Sequence, residues 1–264
     1  CPRRWFMTRR AGASSGSAFR ASIGSLVHRI CAENMDQWSL PKALAELEAA
    51  WPEIELSAEW QRSAELADAK AAVQRFDGWL QLRNRQLIGT EVRVDGTITV
   101  PSGTARVRGS IDRLERDAEG AYYVVDLKTG TSQSDEIKQS HRLQIGVYQA
   151  VVASGGVEAI GPTSVSGAEL VHLRIGAGKG QANPKVDYQN GLVDVPWPDE
   201  AEAVDGCCNW IEASVDRALR IVRSGEYPAI ANRGCGHCPA RAGCPALVPM
   251  DPATAGSDRR RNVP

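Results

Sequence analysis

One segment, residues 109–148, constrains the fold of this chain more than any other. Two runs of β-forming residues each contain an aspartate, Asp112 and Asp126, and the polar segment between them contains Gly120, as hairpin connections often do. Alternate side chains of a strand lie on the same face, so Asp126 and Lys128 share one face. Antiparallel pairing of the two runs is therefore predicted to bring Asp112 close to Asp126.

Two neighbouring carboxylates repel each other unless a positive charge lies between them. Mg²⁺ and Mn²⁺ prefer oxygen ligands and would supply that charge. A lysine beside such a pair can stabilise the charge that develops on a phosphate during hydrolysis. On its own, however, an aspartate two residues before a lysine favours a solvated strand surface.

Four short motifs surround these residues: GSLVH (residues 24–28), GSIDR (109–113), VVDLKTG (124–130) and QIGVY (144–148). In this order, and with cysteines at both ends, the chain resembles the RecB-type branch of the PD-(D/E)XK nucleases over nearly its whole length. One departure is Ile111, which stands where the family motif has proline, at a position that is degenerate in the family.

The resemblance implies an α/β fold with a restriction-endonuclease-like core, a mixed central sheet flanked by helices. It also implies that N- and C-terminal segments join at an Fe–S cluster. We expect one nuclease domain over residues 1–250, followed by a tail, residues 251–264, whose Pro, Ala, Gly and Arg content favours disorder. The implied activity is that of a Mg²⁺- or Mn²⁺-dependent deoxyribonuclease, an exonuclease in preference to an endonuclease.

The family pattern assigns roles to individual residues. The resemblance implies metal ligands at His28, Asp112, Asp126 and the carbonyl of Leu127. It implies catalytic roles for Asp112, Asp126, Lys128, Gln144 and Tyr148. In these roles Lys128 activates water or stabilises the transition state, and Gln144 and Tyr148 position the DNA strand. Without the resemblance, a lone histidine beside an apolar helix stripe is more often a core or surface residue. Glu91 could face the same cleft, and a surface position is equally consistent with its sequence context.

Charge gives a weaker indication of a nucleic-acid partner. The formal net charge is −1, but the first 32 residues contain six arginines and no acidic residue. A basic segment of this kind can follow a phosphate backbone or form an ordinary solvated helix. We expect Arg3, Arg4 and Arg113, with Gln144 and Tyr148, to contact DNA.

The cysteines form a second pattern. Cys235, Cys238 and Cys244 have the spacing C-x₂-C-x₅-C, which favours a metal or cluster site over disulfides. Three thiolates need a fourth ligand, which for zinc could be His237. The other cysteines away from the N-terminus, Cys31, Cys207 and Cys208, are interpreted as small buried apolar residues.

The family resemblance implies a different fourth ligand. Cys1, in the context CPRRW, matches the distant cysteine that completes a [4Fe–4S] cluster in AddB-type nucleases. A cluster held by Cys1 and by residues 235–244 would close a loop of well over 200 residues. By the loop-entropy model, this would stabilise the fold by on the order of 5 kcal/mol. Free thiolates further predict a reducing compartment, the cytoplasm.

The chain starts at Cys1 without a methionine, which suggests a segment of a longer protein. The resemblance is greatest to the C-terminal nuclease domains of AdnA/AdnB helicase–nuclease subunits, which resect double-strand breaks. This implies single-stranded DNA as substrate, with a helicase motor domain in the same chain or a partner helicase–nuclease subunit. The alternatives are a stand-alone RecB-like or CRISPR-associated exonuclease, and a catalytically silent DNA-binding or structural module. No apolar run is long enough for a membrane span.

Periodicity also predicts the main secondary-structure elements. Helices are expected at residues 18–33, 41–50, 57–85, 136–154 and 198–224, a strand pair within residues 87–100, and further strands at residues 168–175 and 193–195.

Overall fold

The computed structural model describes residues 1–11, 18–33, 38–54, 58–130, 135–178, 182–193 and 203–247. The α-helices are α1 (Pro2–Arg9), α2 (Ala18–Glu33), α3 (Leu40–Ala50), α4 (Arg62–Gln81), α5 (Asp135–Ala153) and α6 (Trp210–Ser224). The strands are β1 (Gln86–Val100), β2 (Gly103–Arg116), β3 (Tyr122–Lys128), β4 (Val165–Gly176) and β5 (Pro184–Asn190). Short 3₁₀ turns lie at Trp51–Glu53, Glu59–Gln61 and Arg233–His237.

The five strands form one mixed sheet in the order β1-β2-β3-β4-β5. The pairs β1–β2, β2–β3 and β4–β5 are antiparallel, whereas β3 and β4 are parallel and are joined through α5. A parallel pair needs a crossover connection, and α5 supplies it. This confirms the predicted α/β architecture of a mixed central sheet flanked by helices.

Helices cover both faces of the sheet because β3 is apolar on both of its faces. Tyr123, Val125 and Leu127 pack with α2, α3 and α4 in one core cluster. Val124 packs in a second cluster with α5 and the β1–β2 hairpin. This explains why β3 is a continuous apolar run, as is usual for strands buried on both faces.

The predicted hairpin around the two aspartates is confirmed. Residues 113–116 of β2 pair with residues 122–125 of β3. In the turn, the Asp117 side chain accepts a hydrogen bond of 2.8 Å from the Ala121 N–H. Gly120 has a φ of 87°, a left-handed conformation that glycine adopts without a steric penalty.

Several element predictions were wrong in detail. Residues 87–100 form one long strand instead of a pair, and Gly96 within it allows a close approach to Gly156. Strand β5 was not predicted, although Val186 and Tyr188 alternate with polar residues in its sequence PKVDYQN. α4 is shorter than predicted at both ends, and residue 193 lies in a turn. Residues 194–202 and the predicted tail lie outside the described residues.

The three cysteines without a spacing partner differ from one another. Cys31 is fully buried, as predicted, and burial raises the pKa of its thiol. Cys207 is half-buried and Cys208 is exposed, so their interpretation as buried apolar residues was wrong.

A buried charge cluster ties α4 and the start of β1 to the sheet. Glu115 and Glu169 have side chains that are 0% exposed, and Arg83 contacts both, at 2.8 and 2.7 Å. Arg113 pairs with Glu115 at 2.6 Å, and Trp79 donates a hydrogen bond to Glu169. Buried carboxylates require such partners, since an unpaired buried charge is costly.

The chain divides into two compact units, one of Cys1–Ser17 with Arg220–Pro264 and one of Ala18–Leu219. The sheet and both core clusters belong to the second unit. Within the described residues, no helix is long and apolar enough to cross a membrane.

Candidate active site

The predicted site residues of the larger unit come from four different elements. His28 lies on α2, Asp112 on β2, Asp126 and Lys128 on β3, and Gln144 and Tyr148 on α5. The glycine of the GSLVH motif explains how α2 approaches the sheet: a Cβ at Gly24 would lie 2.6 Å from the Thr129 Oγ1 atom. Only a residue without a side chain lets the helix pass so close to the end of β3.

The acidic residues lie where the β2–β3 ladder ends. Its last pair is Arg113 with Val125. Arg113 directly follows Asp112 on β2, and Val125 directly precedes Asp126 on β3. Beyond it, the Leu127 N–H donates a 2.6 Å hydrogen bond to the Asp112 Oδ2 atom. The Asp112 carboxylate thus takes the place of a backbone acceptor, which fixes it beside β3.

His28 joins two carboxylates. Its Nε2 atom lies 2.9 Å from Asp112 Oδ2, and its Nδ1 atom lies 3.1 Å from Glu91 Oε1. The hydrogen bond with Asp112 raises the pKa of His28, against the lowering effect of burial. Potential ligand atoms of His28, Glu91 and Asp112 all lie within 4.8 Å of one another.

The position of Glu91, which the sequence left open, is at this cluster. Its φ of 47° lies in the left-handed region, which is uncommon for residues other than glycine. Its Oε2 atom accepts a 3.0 Å hydrogen bond from the Ser110 hydroxyl. Strand alternation alone could not place this carboxylate, because the β1–β2 register shifts between Leu87 and Gly89.

Asp126 is buried beside Lys128. The Lys128 Nζ atom lies 2.8 Å from Asp126 Oδ2 and donates a 2.8 Å hydrogen bond to Gln144 Oε1. Burial raises the pKa of Asp126 to about 6, and the charge of Asp112 acts in the same direction. Asp126 Oδ2 is buried and has no partner in hydrogen-bond geometry among the described residues, although Lys128 is within ion-pair distance.

The donor set fits a divalent cation with a preference for oxygen. Glu91 and Asp112 offer carboxylate oxygens next to the His28 imidazole, and the charges of Asp112 and His28 act on Asp126. Asp126 lies within ion-pair distance of Lys128, and burial is the main cause of its raised pKa. Mg²⁺ and Mn²⁺ suit such ligands, and imidazole suits transition metals. The structure records no contact of the Leu127 carbonyl with these residues.

Gln144 and Tyr148 of α5 extend the hydrogen-bond network that begins at Lys128. Gln144 accepts from Lys128, and its side chain is also hydrogen-bonded to the Tyr148 hydroxyl. Tyr148 lies against Gly109 of the hairpin, where a Cβ would approach its ring and hydroxyl to 3.2 Å. The predicted helix face, with residues four apart, is therefore turned towards the site.

Sequence reasoning missed a histidine pair beside Lys128. His172 is the β4 partner of Lys128 in the sheet register, and its Nε2 atom lies 2.9 Å from Asp187 Oδ2. The His141 ring lies 6.5 Å from that of His172. Burial, with Lys128 nearby, lowers the pKa of His141 to about 4. The available signal was the position of His141 three residues before Gln144, on the same helix face.

Arg113 does not fit its predicted contact with DNA. It is 5% exposed, and its guanidinium group is held by Glu115 and lies over the Trp79 ring. A buried guanidinium in an ion pair cannot reach a phosphate, so we remove Arg113 from the DNA-contacting set. Strand alternation accounts for the error, because Arg113 points away from the face that carries Asp112.

In the smaller unit, all four cysteines predicted for a cluster, Cys1, Cys235, Cys238 and Cys244, line one cavity together with Arg3 and Arg4. The Ile230 N–H lies 3.5 Å from Cys1 Sγ, and the Asn232 N–H lies 3.3 Å from Cys235 Sγ. N–H groups directed at sulfur are a usual feature of thiolate ligands in Fe–S proteins. The donor set therefore fits a thiolate-bound group. The His237 side chain, considered for zinc, lies outside the described part of the structure.

The fold and the larger unit's site define a class of α/β protein with clustered acidic residues and an adjacent lysine. A family model of the PD-(D/E)XK nuclease superfamily matches residues 1–245, and the chain belongs to this superfamily. Its members are usually metal-dependent nucleases.

Among solved structures, the crystal structure of SSO0001 is similar to this chain, with 18% sequence identity and a TM-score of 0.40. The similarity covers 84% of this chain and 95% of that chain. No curated protein matches the chain at a significant level.

Proposed function

We propose that this protein is a Mg²⁺- or Mn²⁺-dependent DNA nuclease, acting as an exonuclease on single strands. The observation that carries the proposal is the convergence of the His28, Glu91 and Asp112 ligand atoms within 4.8 Å, next to the Asp126–Lys128 pair. A carboxylate as buried as that of Asp126 needs a counter-charge, and Lys128 lies 2.8 Å from it.

In this proposal His28, Asp112 and Asp126 hold the metal, and Glu91 completes the acidic set. A bound divalent ion would polarise the scissile phosphate and lower the pKa of a water molecule. His28 must give up its proton before it can ligate, and its raised pKa makes metal binding weaker at low pH. The Leu127 carbonyl remains the predicted further oxygen ligand.

Lys128 would stabilise the negative charge that develops on the phosphate or hold the attacking water. Its ammonium group is fixed between Asp126 and Gln144, each at 2.8 Å, so little reorganisation is needed during reaction. Gln144 orients Lys128, and Tyr148 borders the position of the DNA strand. These contacts support the roles that the family resemblance implies.

A cleavage assay tests the proposal directly. Single- and double-stranded DNA labelled at either end should be degraded in Mg²⁺ or Mn²⁺ and left intact in EDTA. Progressive loss from one end is expected for an exonuclease. DNA binding without cleavage in any divalent metal would instead support the catalytically silent module.

We further propose a RecB-type nuclease domain of the AdnA/AdnB kind, working with a helicase motor in the same chain or in a partner subunit during resection of double-strand breaks. The support is the resemblance in four motifs, and the cavity that Cys1 shares with the three C-terminal cysteines. Arg3 and Arg4 line that cavity and remain predicted DNA contacts. A stand-alone or CRISPR-associated exonuclease is the alternative, and the length of the natural protein separates the two.

The cysteine cavity is proposed to hold a [4Fe–4S] cluster. The support is that the four thiols line one cavity, and that the Ile230 and Asn232 N–H groups point at the sulfurs of Cys1 and Cys235.

Protein purified without oxygen is expected to be brown and to contain roughly four iron and four sulfide per chain. Cys238→Ser should lose most of this iron, whereas Cys208→Ser, at an exposed cysteine outside the cavity, should retain it. Iron and sulfide analysis with visible absorption measures both. Stoichiometric zinc without iron would contradict the cluster proposal.

A further inference from the structure

A groove of about 550 Å³ lies along the β1–β2 hairpin and begins at the candidate metal site. Its lining consists of Glu91, Arg93, Val94, Asp95, Arg108, Gly109 and Ser110. Glu91 belongs to both places, since its Oε1 atom contacts His28 and its Oε2 atom accepts from Ser110. A ligand in the groove would therefore lie next to Glu91, which belongs to the candidate metal site.

The sheet register places the basic residues of the hairpin on one face. Arg93 is opposite Ser110, Asp95 is opposite Arg108, and the next pair on that face is Thr97 with Arg106. Residues directly opposite each other in an antiparallel pair share a face. The groove lining on β1 runs from Glu91 to Asp95, about 13 Å at about 3.3 Å per residue, enough for a short stretch of nucleotides.

Beyond Glu91, which belongs to the candidate metal site, this face of the hairpin carries three arginines, Arg93, Arg106 and Arg108, and one carboxylate, Asp95. Asp95 is the acidic partner of two arginines, Arg106 at 2.7 Å and Arg108 at 3.1 Å, and both arginines are largely exposed. Arg93 is exposed and has no hydrogen bond or ion pair with any residue that the structure describes. Guanidinium groups bind phosphate in a planar, bidentate geometry, so Arg93 is available for an anion.

Tyr148, the helix residue predicted to contact DNA, lies on the other face of the hairpin. A Cβ at Gly109 would approach the Tyr148 ring and hydroxyl to 3.2 Å. The Val94–Gly109 pair alternates with the Arg93–Ser110 and Asp95–Arg108 pairs, so the tyrosine contacts the hairpin from the face opposite to Arg93 and Arg108.

We propose that the groove holds the backbone of a single DNA strand and leads it to or from the metal site, with Arg93 and Arg108 contacting its phosphates. This inference rests on the proposed function and adds the path of the substrate to it. The length of the path, its charge and its continuity with Glu91 all fit a phosphodiester chain. The other interpretation is an ordinary solvated strand face, which the following experiment separates.

Binding of a fluorescent oligothymidylate in EDTA, measured at several salt concentrations, tests the groove without requiring cleavage. Arg93→Ala should reduce the slope of log affinity against log salt by about 0.7, the value expected for one lost phosphate contact to a single strand. Arg93→Ala with Arg108→Ala should reduce it by about twice as much. Arg93→Lys should keep most of the slope.

The matched control is Lys42→Ala, which removes an exposed positive charge on α3 in the same compact unit. It should leave the salt slope unchanged. Thermal melting should show that all variants fold as the wild type does. In Mg²⁺, Arg93→Ala should raise KM for the oligonucleotide several-fold while kcat is retained, as expected for a contact made equally in the ground and transition states.

An unchanged slope in the double variant, an equal loss in Lys42→Ala, or no DNA binding by the wild type would overturn the inference. Failure of the proposed function gives a different result. Binding that depends on Arg93, without cleavage in any metal, would refute the nuclease activity and leave the groove standing. Cleavage that is unaffected by replacing Arg93 and Arg108 would refute the groove and leave the nuclease activity standing.

Discussion

Replacing Asp126 with asparagine is expected to abolish metal-dependent cleavage of DNA and, at neutral pH, to make the metal-free protein more stable. Loss of one preorganised charged group typically costs about 10²–10³ in rate, and loss of a metal ligand should cost at least as much. The side chain is 3% exposed, and asparagine has nearly the same shape, so the fold should be unaffected.

The gain in stability follows from the pKa of Asp126, which burial raises to about 6 in the folded protein. The folded protein therefore keeps the proton at pH values where the unfolded chain has lost it. The free energy of unfolding of the wild type should fall as pH rises from about 4 to about 6. Asparagine does not ionise, so the variant should become the more stable protein across this range, by on the order of 2 kcal/mol.

Denaturation in urea between pH 4 and pH 8, with EDTA present, measures this difference. It should be absent below about pH 4 and constant above about pH 6. Added Mn²⁺ should raise the melting temperature of the wild type and leave that of the variant unchanged, since a ligand stabilises only a protein that binds it.

Two further variants test whether the loss of cleavage is specific to the candidate site. Lys128→Ala should also abolish cleavage with the fold intact, because the ammonium group between Asp126 and Gln144 is lost. Asp68→Asn, at an exposed carboxylate on α4, should cleave normally. Nuclease activity that survives in Asp126→Asn or Lys128→Ala would refute the assigned site.

Replacing Arg83 with alanine is expected to be the most destabilising single change outside the active site. Its guanidinium group contacts Glu115 at 2.8 Å and Glu169 at 2.7 Å, and it lies 4.5 Å from the Trp79 ring centroid. Both glutamates are fully buried, so removing Arg83 leaves them without their nearest common counter-charge. Breaking a buried pair in this way costs about 3–5 kcal/mol.

The free energy of unfolding in urea at pH 7 measures this loss. Adding Glu169→Gln to Arg83→Ala should recover part of it, because a neutral amide does not need a counter-charge. As a control, Arg62→Ala removes an arginine whose partner, Glu59, is exposed, and the denaturation midpoint should hardly change. A midpoint shift as small in Arg83→Ala as in the control would show that the cluster does not stabilise the fold.

The sequence predicted the β2–β3 hairpin because its evidence is local. Gly120 in a polar turn and alternating strands on either side suffice to bring Asp112 and Asp126 to the same end of the pair. It missed β5, although Val186 and Tyr188 alternate with polar residues there, because the run is short and begins at Pro184, which favours a turn. Nor could it show that α4 ends at Gln81, because Arg83 leaves the helix to meet buried carboxylates of β2 and β4.

The candidate site divides in the same way. Strand alternation alone placed Asp126 and Lys128 on one face, and helix spacing alone placed Gln144 and Tyr148 on one face. The positive φ of Glu91 and the pairing of His172 with Asp187 had no sequence signal, since each depends on partners distant in the chain. Arg113 was wrongly predicted to contact DNA because it directly follows Asp112 in the GSIDR motif, although its side chain lies on the opposite face of the strand.

By itself the sequence determined what covalent geometry fixes, namely which residues share a strand face or a helix face and which cysteines can form a knuckle. The family resemblance implied that His28 joins Asp112 and that Cys1 joins the distant cysteines. Only the tertiary structure decided that the imidazole of α2 also meets the Glu91 carboxylate of β1. The physical reason is that the side-chain repeats of two residues in a strand and 3.6 residues in a helix relate only residues within the same element. Convergence of distant groups depends instead on packing, in which glycines such as Gly24 and Gly109 set how closely the elements approach.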